Sequence, residues 1–130
     1  MTILSFSQHA RARMQQRSLS AWDCEFIAKS GTAIRRDRIQ LLDRDVRRET
    51  TARTLAIARL ARDLKVRSVD RGPADISRHQ SRIQALKREI ERIEKLRGAL
   101  IVQVGATVVT CMHPNERSKR RASRHPRLRA

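Results

Sequence analysis

The chain has no tyrosine, one tryptophan and two phenylalanines. Folds that grip a single strand by stacking its bases need several exposed rings. Phe6, Trp22 and Phe26 are all there is, and their clustering near the N-terminus marks them as core. There are only two cysteines, Cys24 and Cys111, each inside an apolar stretch. That is neither a disulfide framework nor a metal-ligand spacing, and it suits a reducing cytoplasm. No apolar run approaches the ~20 residues of a spanning helix, and no stretch reads as a signal peptide. A membrane role is therefore not expected. Walker loops, dinucleotide fingerprints, nucleophile elbows and Cys/His clusters are missing too, so no cofactor and no metal is expected.

Acid is also scarce. Against 13 Asp and Glu stand 30 Lys and Arg, a formal charge of +17 over 130 residues with a pI near 11.8. The excess is spread along the chain: 7 basic against 3 acidic residues in 1–42, 16 against 9 in 43–97, and 7 against 1 in 98–130. Each cation set on a phosphate releases a condensed counterion, so such a chain binds polyanions in a salt-sensitive way. Arg far outnumbers Lys, which favours forked, bidentate phosphate contacts. The expected partner is RNA, on the ribosome or free, or DNA.

The pattern predicts one α+β domain over residues 1–113 and a basic arm over 114–130. Ser7 caps a short helix from Gln8 to Arg17, with Ala10 and Met14 inward. Ser20 and Asp23 form a variant capping box that opens a second helix. Gly31 follows that helix as the residue past its end, where left-handed backbone is common. Arg38–Leu42 reads as a strand. Asp43 then caps a long helix whose Val46, Thr50, Arg53, Ile57, Leu60 and Leu64 recur at alternating spacings of four and three. After the turn at 71–75, Ile76, His79, Ile83, Leu86, Ile90 and Ile93 continue the heptads. Together they make a long antiparallel helical hairpin over 43–97, inserted in the domain. Leu100–Val104 and Thr107–Met112, joined by Gly105-Ala106, read as a β-hairpin with a two-residue loop. With 38–42 they give a small antiparallel sheet. The arm has no apolar periodicity and reads as extended chain.

The chemistry-bearing residues are His and Arg. His9, Arg13 and Arg17 lie at i, i+4 and i+8, on one face of the first helix. His113 ends the β-hairpin; counting outward from the 104–107 pair sets Gly98 opposite it, which leaves the ring uncovered. Arg117, Lys119, Arg120 and Arg121 follow as further phosphate contacts. Metal-independent RNA cleavage uses a base for the 2′-hydroxyl, an acid for the leaving oxygen, and cations for the phosphorane. His suits the first two roles and Arg the third. The same two histidines also read as surface or capping residues beside basic neighbours.

A resemblance bears on that choice. The opening Ser7-Gln-His9-Ala10-Arg11-Ala12-Arg13-Met14-Gln15-Gln16-Arg17-Ser18-Leu19 resembles the S-x-H-A-x-x-R-x-x-Q-R-G-I start of a family of small bacterial domains of unknown function. Thr107-Val-Val-Thr-Cys-Met-His113-Pro114 is similar to the hairpin that ends them. Those domains distantly resemble the RelE/barnase-like toxin ribonucleases. The similarity covers residues 4–42 and 97–121; Ser18 stands where the family has glycine, Pro114 stands where it has a basic residue, and the middle helices are longer. The resemblance implies a toxin-like, metal-independent ribonuclease of ribosome-associated RNA or tRNA, with His9 and His113 as acid–base groups. It also allows a neutralising acidic protein partner. Two other readings stay open: a non-catalytic nucleic-acid-binding protein, and an adaptor that docks or dimerises through the helical hairpin.

Overall fold

The computed structural model describes residues 4–67, 72–112, 114 and 116–124. The fold is α+β, with a five-stranded mixed sheet and, among the described residues, five helices. The chain divides into two compact units, one built from Met1–Val46 with Leu96–Ala130 and the other from Arg47–Lys95.

In the first unit the order is β1 (Ser5–Phe6), α1 (Gln8–Gln16), α2 (Ala21–Ser30), β2 (Thr32–Arg35) and β3 (Arg38–Gln40), then β4 (Leu100–Val104), β5 (Thr107–Met112) and α5 (Glu116–Arg124). The strands lie β1-β5-β4-β3-β2. All neighbours are antiparallel except β1, which runs parallel to β5. The expected sheet thus gains two short strands, and it is mixed rather than antiparallel. Neither β1 nor β2 has enough residues to show a period of two. β1 exists because the longer β5 offers its free edge, and β2 because the tight turn at 36–37 folds it back onto β3.

One face of the sheet is covered: α1 packs on β5, and α2 on β4 and β3. Ile101, Val108 and Cys111 on that face are fully buried, as are Ala10, Cys24 and Ile27 of the helices. Completely burying an Ile or Val contributes about 1.5–3 kcal/mol, and the fully buried Leu41, Leu42 and Leu96 add to the same unit's cohesion. Phe26 joins them, but Trp22 does not: it is 39% exposed, stacked on Phe26 with ring centroids 5.2 Å apart. As the second residue of α2 it sits at the rim of the layer, so the expected all-core aromatic cluster is only partly so.

The capping expectations were mostly correct in kind. Ser7 accepts from the Ala10 N–H, and Ser20 and Asp23 form a complete capping box. Gly31 serves differently from the expectation. Its φ of −75° needs no glycine, but a Cβ there would lie 2.5 Å from the Ile27 carbonyl oxygen and 2.8 Å from Ile39. The residue is small because α2 meets β3 here. Asp43 is not the cap of the next helix, α3 (Asp43–Arg67), but its first residue. The carboxylate of Asp45 caps instead, accepting from the Leu42 N–H at 3.0 Å and the Thr32 hydroxyl at 2.8 Å.

The first helix ends in a Schellman turn, with the Leu19 N–H donating to the Met14 carbonyl. Ser18 sits in the left-handed position at φ +55°. An L-residue there costs about 1 kcal/mol relative to glycine. Ser18→Gly should therefore raise the melting temperature by about 3 °C, measured by circular dichroism. An unchanged or lower value would mean the serine side chain offsets its own strain.

The arm departs most from expectation. Residues 116–124 form α5, with Ala122 buried. Apolar periodicity was the wrong signal for so short a segment; Glu, Arg, Lys and Ala are all good helix formers.

The second unit is the α3/α4 hairpin, with α4 spanning Pro73–Lys95. Leu86 and Ile93 are buried; Ile57, Leu60, Leu64, Ile76, Ile83 and Ile90 are half-buried along the expected seam. Two polar bridges cross it: Arg53 Nε to Glu89 at 3.5 Å, and His79 Nε2 to Asp63 at 3.0 Å. They are ten residues apart on each helix, so they share one antiparallel register. Burial pushes the Glu49 carboxyl up, but the guanidiniums of Arg48 and Arg53 outweigh that and hold it below its usual range.

Candidate nucleic-acid interface

The N-terminus of α1 is fastened to β5 by one side chain. Ser7 donates its hydroxyl to the Val109 carbonyl at 2.9 Å, and its N–H to the Val108 carbonyl at 3.0 Å. Val109 is the odd residue of a β-bulge: Gln103 faces Val108, yet Val102 faces Thr110. The bulge turns the Val109 carbonyl out of the ladder and toward Ser7. Helix and strand are thereby held in fixed relation; His9 and Arg13 project from that helix one turn apart, and Arg17 follows at its C-cap.

His9 is exposed; Arg13 and Arg17 are half-buried. Among the described residues none of the three forms an ion pair or a side-chain hydrogen bond. Both arginines lie close enough to Cys111 to act on its thiol. Burial pushes that thiol up, and the positive charges of Arg17 and Arg13 pull against it without overcoming it. Cys24, facing Cys111 from α2, is pushed to about 12 by burial and by its neighbours Cys111 and Asp23. At neutral pH both cysteines are protonated thiols, so neither supplies a nucleophile. The α1 face holds one histidine and two uncompensated guanidiniums.

The bulge also corrects the count that set Gly98 opposite His113. Leu100 pairs with Met112, which is one residue out of step with that count. Gly98 instead donates its N–H to Leu41 and accepts from the Gln40 amide at 3.1 Å, in a positive-φ conformation of +88°. His113 itself lies outside the described residues. Of the expected arm contacts, positions 117, 120 and 121 share one side of α5, and 119 falls on the other. Arg120 and Arg121 are exposed, and Lys119 is half-buried.

The sequence reading passed over Arg35, Arg36 and Arg38. All three are exposed at the β2–β3 turn, around an exposed Asp37. The available signal was local: three arginines in four positions, directly after a glycine-closed helix.

Among the described residues no three His, Cys, Asp or Glu side chains converge as metal ligands would. No helix is long and apolar enough to cross a membrane. A shallow depression on α4, lined by Ser77, Gln80, Ser81, Gln84 and Arg88, offers no group that exchanges protons near neutrality. Set against protein-family models, curated proteins and solved structures, the chain matches none.

Proposed function

We propose that this protein binds RNA through the α1 face, with Arg13 and Arg17 holding a phosphate and His9 serving as an acid–base group in metal-independent cleavage of the backbone. The observation that carries the reading is the pair of half-buried arginines, Arg13 on α1 and Arg17 at its C-cap, that no acidic side chain among the described residues compensates. Partial burial fixes their stems, and with no carboxylate paired to them among the described residues their forks are open to an anion. The +17 charge supports the same partner class. The resemblance to toxin-type ribonucleases supports the chemistry, and the free thiols suit a cytoplasmic setting.

Binding is tested by titrating a short RNA duplex with the full-length protein across a range of salt. Log affinity should fall linearly with log salt, by about 0.7–0.9 per phosphate contact. Arg13→Gln with Arg17→Gln should weaken binding and lower that slope by about one to two. No binding at low salt, or a flat salt response, would remove the reading. A wild-type slope in the double variant would move the RNA off α1.

A further inference from the structure

The face of the sheet away from α1 and α2 carries its own arrangement of charge. Directly paired residues share a face, so Arg35, Arg38, Val102 and Thr110 form one row across β2, β3, β4 and β5. Val104, Thr107 and Ser5 form the next. Val104 is 62% exposed, and Val102, Thr107 and Thr110 are half-exposed. Gln40 and Leu100 on the same face are buried, so the face opens only from Val102 toward Val104, and two arginines stand directly opposite each other at that open end.

That pairing works against the fold. Like charges directly opposite on adjacent strands repel, with Cβ atoms only about 4.5–5.5 Å apart. Nothing relieves it internally: among the described residues neither arginine forms an ion pair, and Asp37, between them in sequence, forms none either. The turn is also not loose. The Gln103 N–H donates to the Asp37 carbonyl at 2.7 Å, which ties it to the end of β4. No residue of the turn has positive φ, so its twist is taken up by the bulge at Ile34, between the Ala33–Ile39 and Arg35–Arg38 pairs. A fixed turn that presents two neighbouring guanidiniums is preorganised for an anion between them.

We infer that the Arg35–Arg38 pair is a second phosphate-binding site for the RNA backbone, on the opposite side of the sheet from α1. The two guanidiniums share one phosphate, and Arg36 takes an adjacent one. The hydroxyls of Ser5, Thr107 and Thr110 and the apolar floor of Val102 and Val104 then lie beside the sugar edge. This rests on the RNA-binding reading above and extends it from one face to two.

The test compares the wild-type full-length protein with Arg35→Gln/Arg38→Gln, Arg35→Lys/Arg38→Lys and Arg13→Gln/Arg17→Gln. Each is measured for binding to the same RNA duplex across salt, and for thermal melting. The glutamine pair at 35 and 38 should weaken binding at least several-fold and lower the salt slope by about one to two. Its melting temperature should hold or rise, because a repulsion has been removed. The lysine pair should keep most of the slope. If the glutamine pair binds with wild-type affinity and slope while the α1 variant is weakened, the second site is overturned and the RNA reading stands. A face that serves an acidic protein instead gives that same result. If wild type binds no RNA, both fall. A lysine pair as weak as the glutamine pair, with lowered melting in both, would make the arginines structural and also overturn the site.

Discussion

His9→Ala is expected to cleave RNA about 10² to 10⁴ times more slowly than wild type while binding it as tightly. The split follows from what the imidazole does. His9 is exposed on the first turn of α1 and has no hydrogen-bond partner among the described residues, so removing it disturbs no packing and little phosphate affinity. Arg13→Ala is expected to differ, losing binding and rate together, because the proposed phosphate contact would exist before the transition state forms. The assay is cleavage of total or ribosome-bound RNA in EDTA, with His113→Ala as the companion variant and each protein checked for folding. EDTA is included because the proposed roles are filled entirely by His and Arg. If both histidine variants keep full activity, the acid–base assignment fails even though cleavage survives. If wild type cleaves nothing on any substrate, ribosomes included, the protein holds RNA without cutting it.

The cysteines sharpen that test. Burial outweighs the arginine charges at Cys111 and is reinforced by Cys111 and Asp23 at Cys24, so both thiols stay protonated and a thiolate does not stand in when a histidine is lost. Residual activity in a His9 variant would point to His113 or to water.

Elements whose stabilising signal is local were legible in the sequence. Ser7 and Ser20 cap because a hydroxyl three residues before a free N–H has one obvious partner. The β4–β5 hairpin is read from branched residues around Gly105, whose φ is +60°. The α3/α4 seam is read from heptads. Non-local features were not legible. β1 forms only because β5 offers an edge on which Ser5 meets Thr107 and Phe6 meets Val108. The bulge at Val109 is specified by Ser7, over a hundred positions earlier, which is why counting outward from the turn misplaced the partner of His113. The candidate site divides the same way. His9 and Arg13 on α1 and Arg17 at its C-cap are picked out by helical spacing. Arg35 and Arg38 matter as a pair only once two strands are known to meet, and β2, the strand that carries Arg35, has no recognisable period.

Asp43, not Asp45, was the expected helix cap, yet Asp45→Ala is expected to cost about 3 kcal/mol. Its carboxylate is 1% exposed and accepts from the Thr32 hydroxyl and the Leu42 N–H. Thr32 opens β2, and Leu42 immediately precedes α3, so one side chain fixes a strand end and a helix start together. Alanine leaves both donors unsatisfied in a buried place, at about 1–3 kcal/mol each, partly relieved by local rearrangement. Loss of the helix cap is included in that figure. In a chain of this size the melting temperature should drop by about 10 °C. Thr32→Val removes one of the two donors, so adding it to Asp45→Ala should cost less than the two single effects combined. Urea unfolding of the four proteins supplies the cycle. A drop of only a degree or two in Asp45→Ala would show that water takes over as acceptor for the Thr32 hydroxyl and the Leu42 N–H. Strict additivity would show that Thr32 and Asp45 act independently.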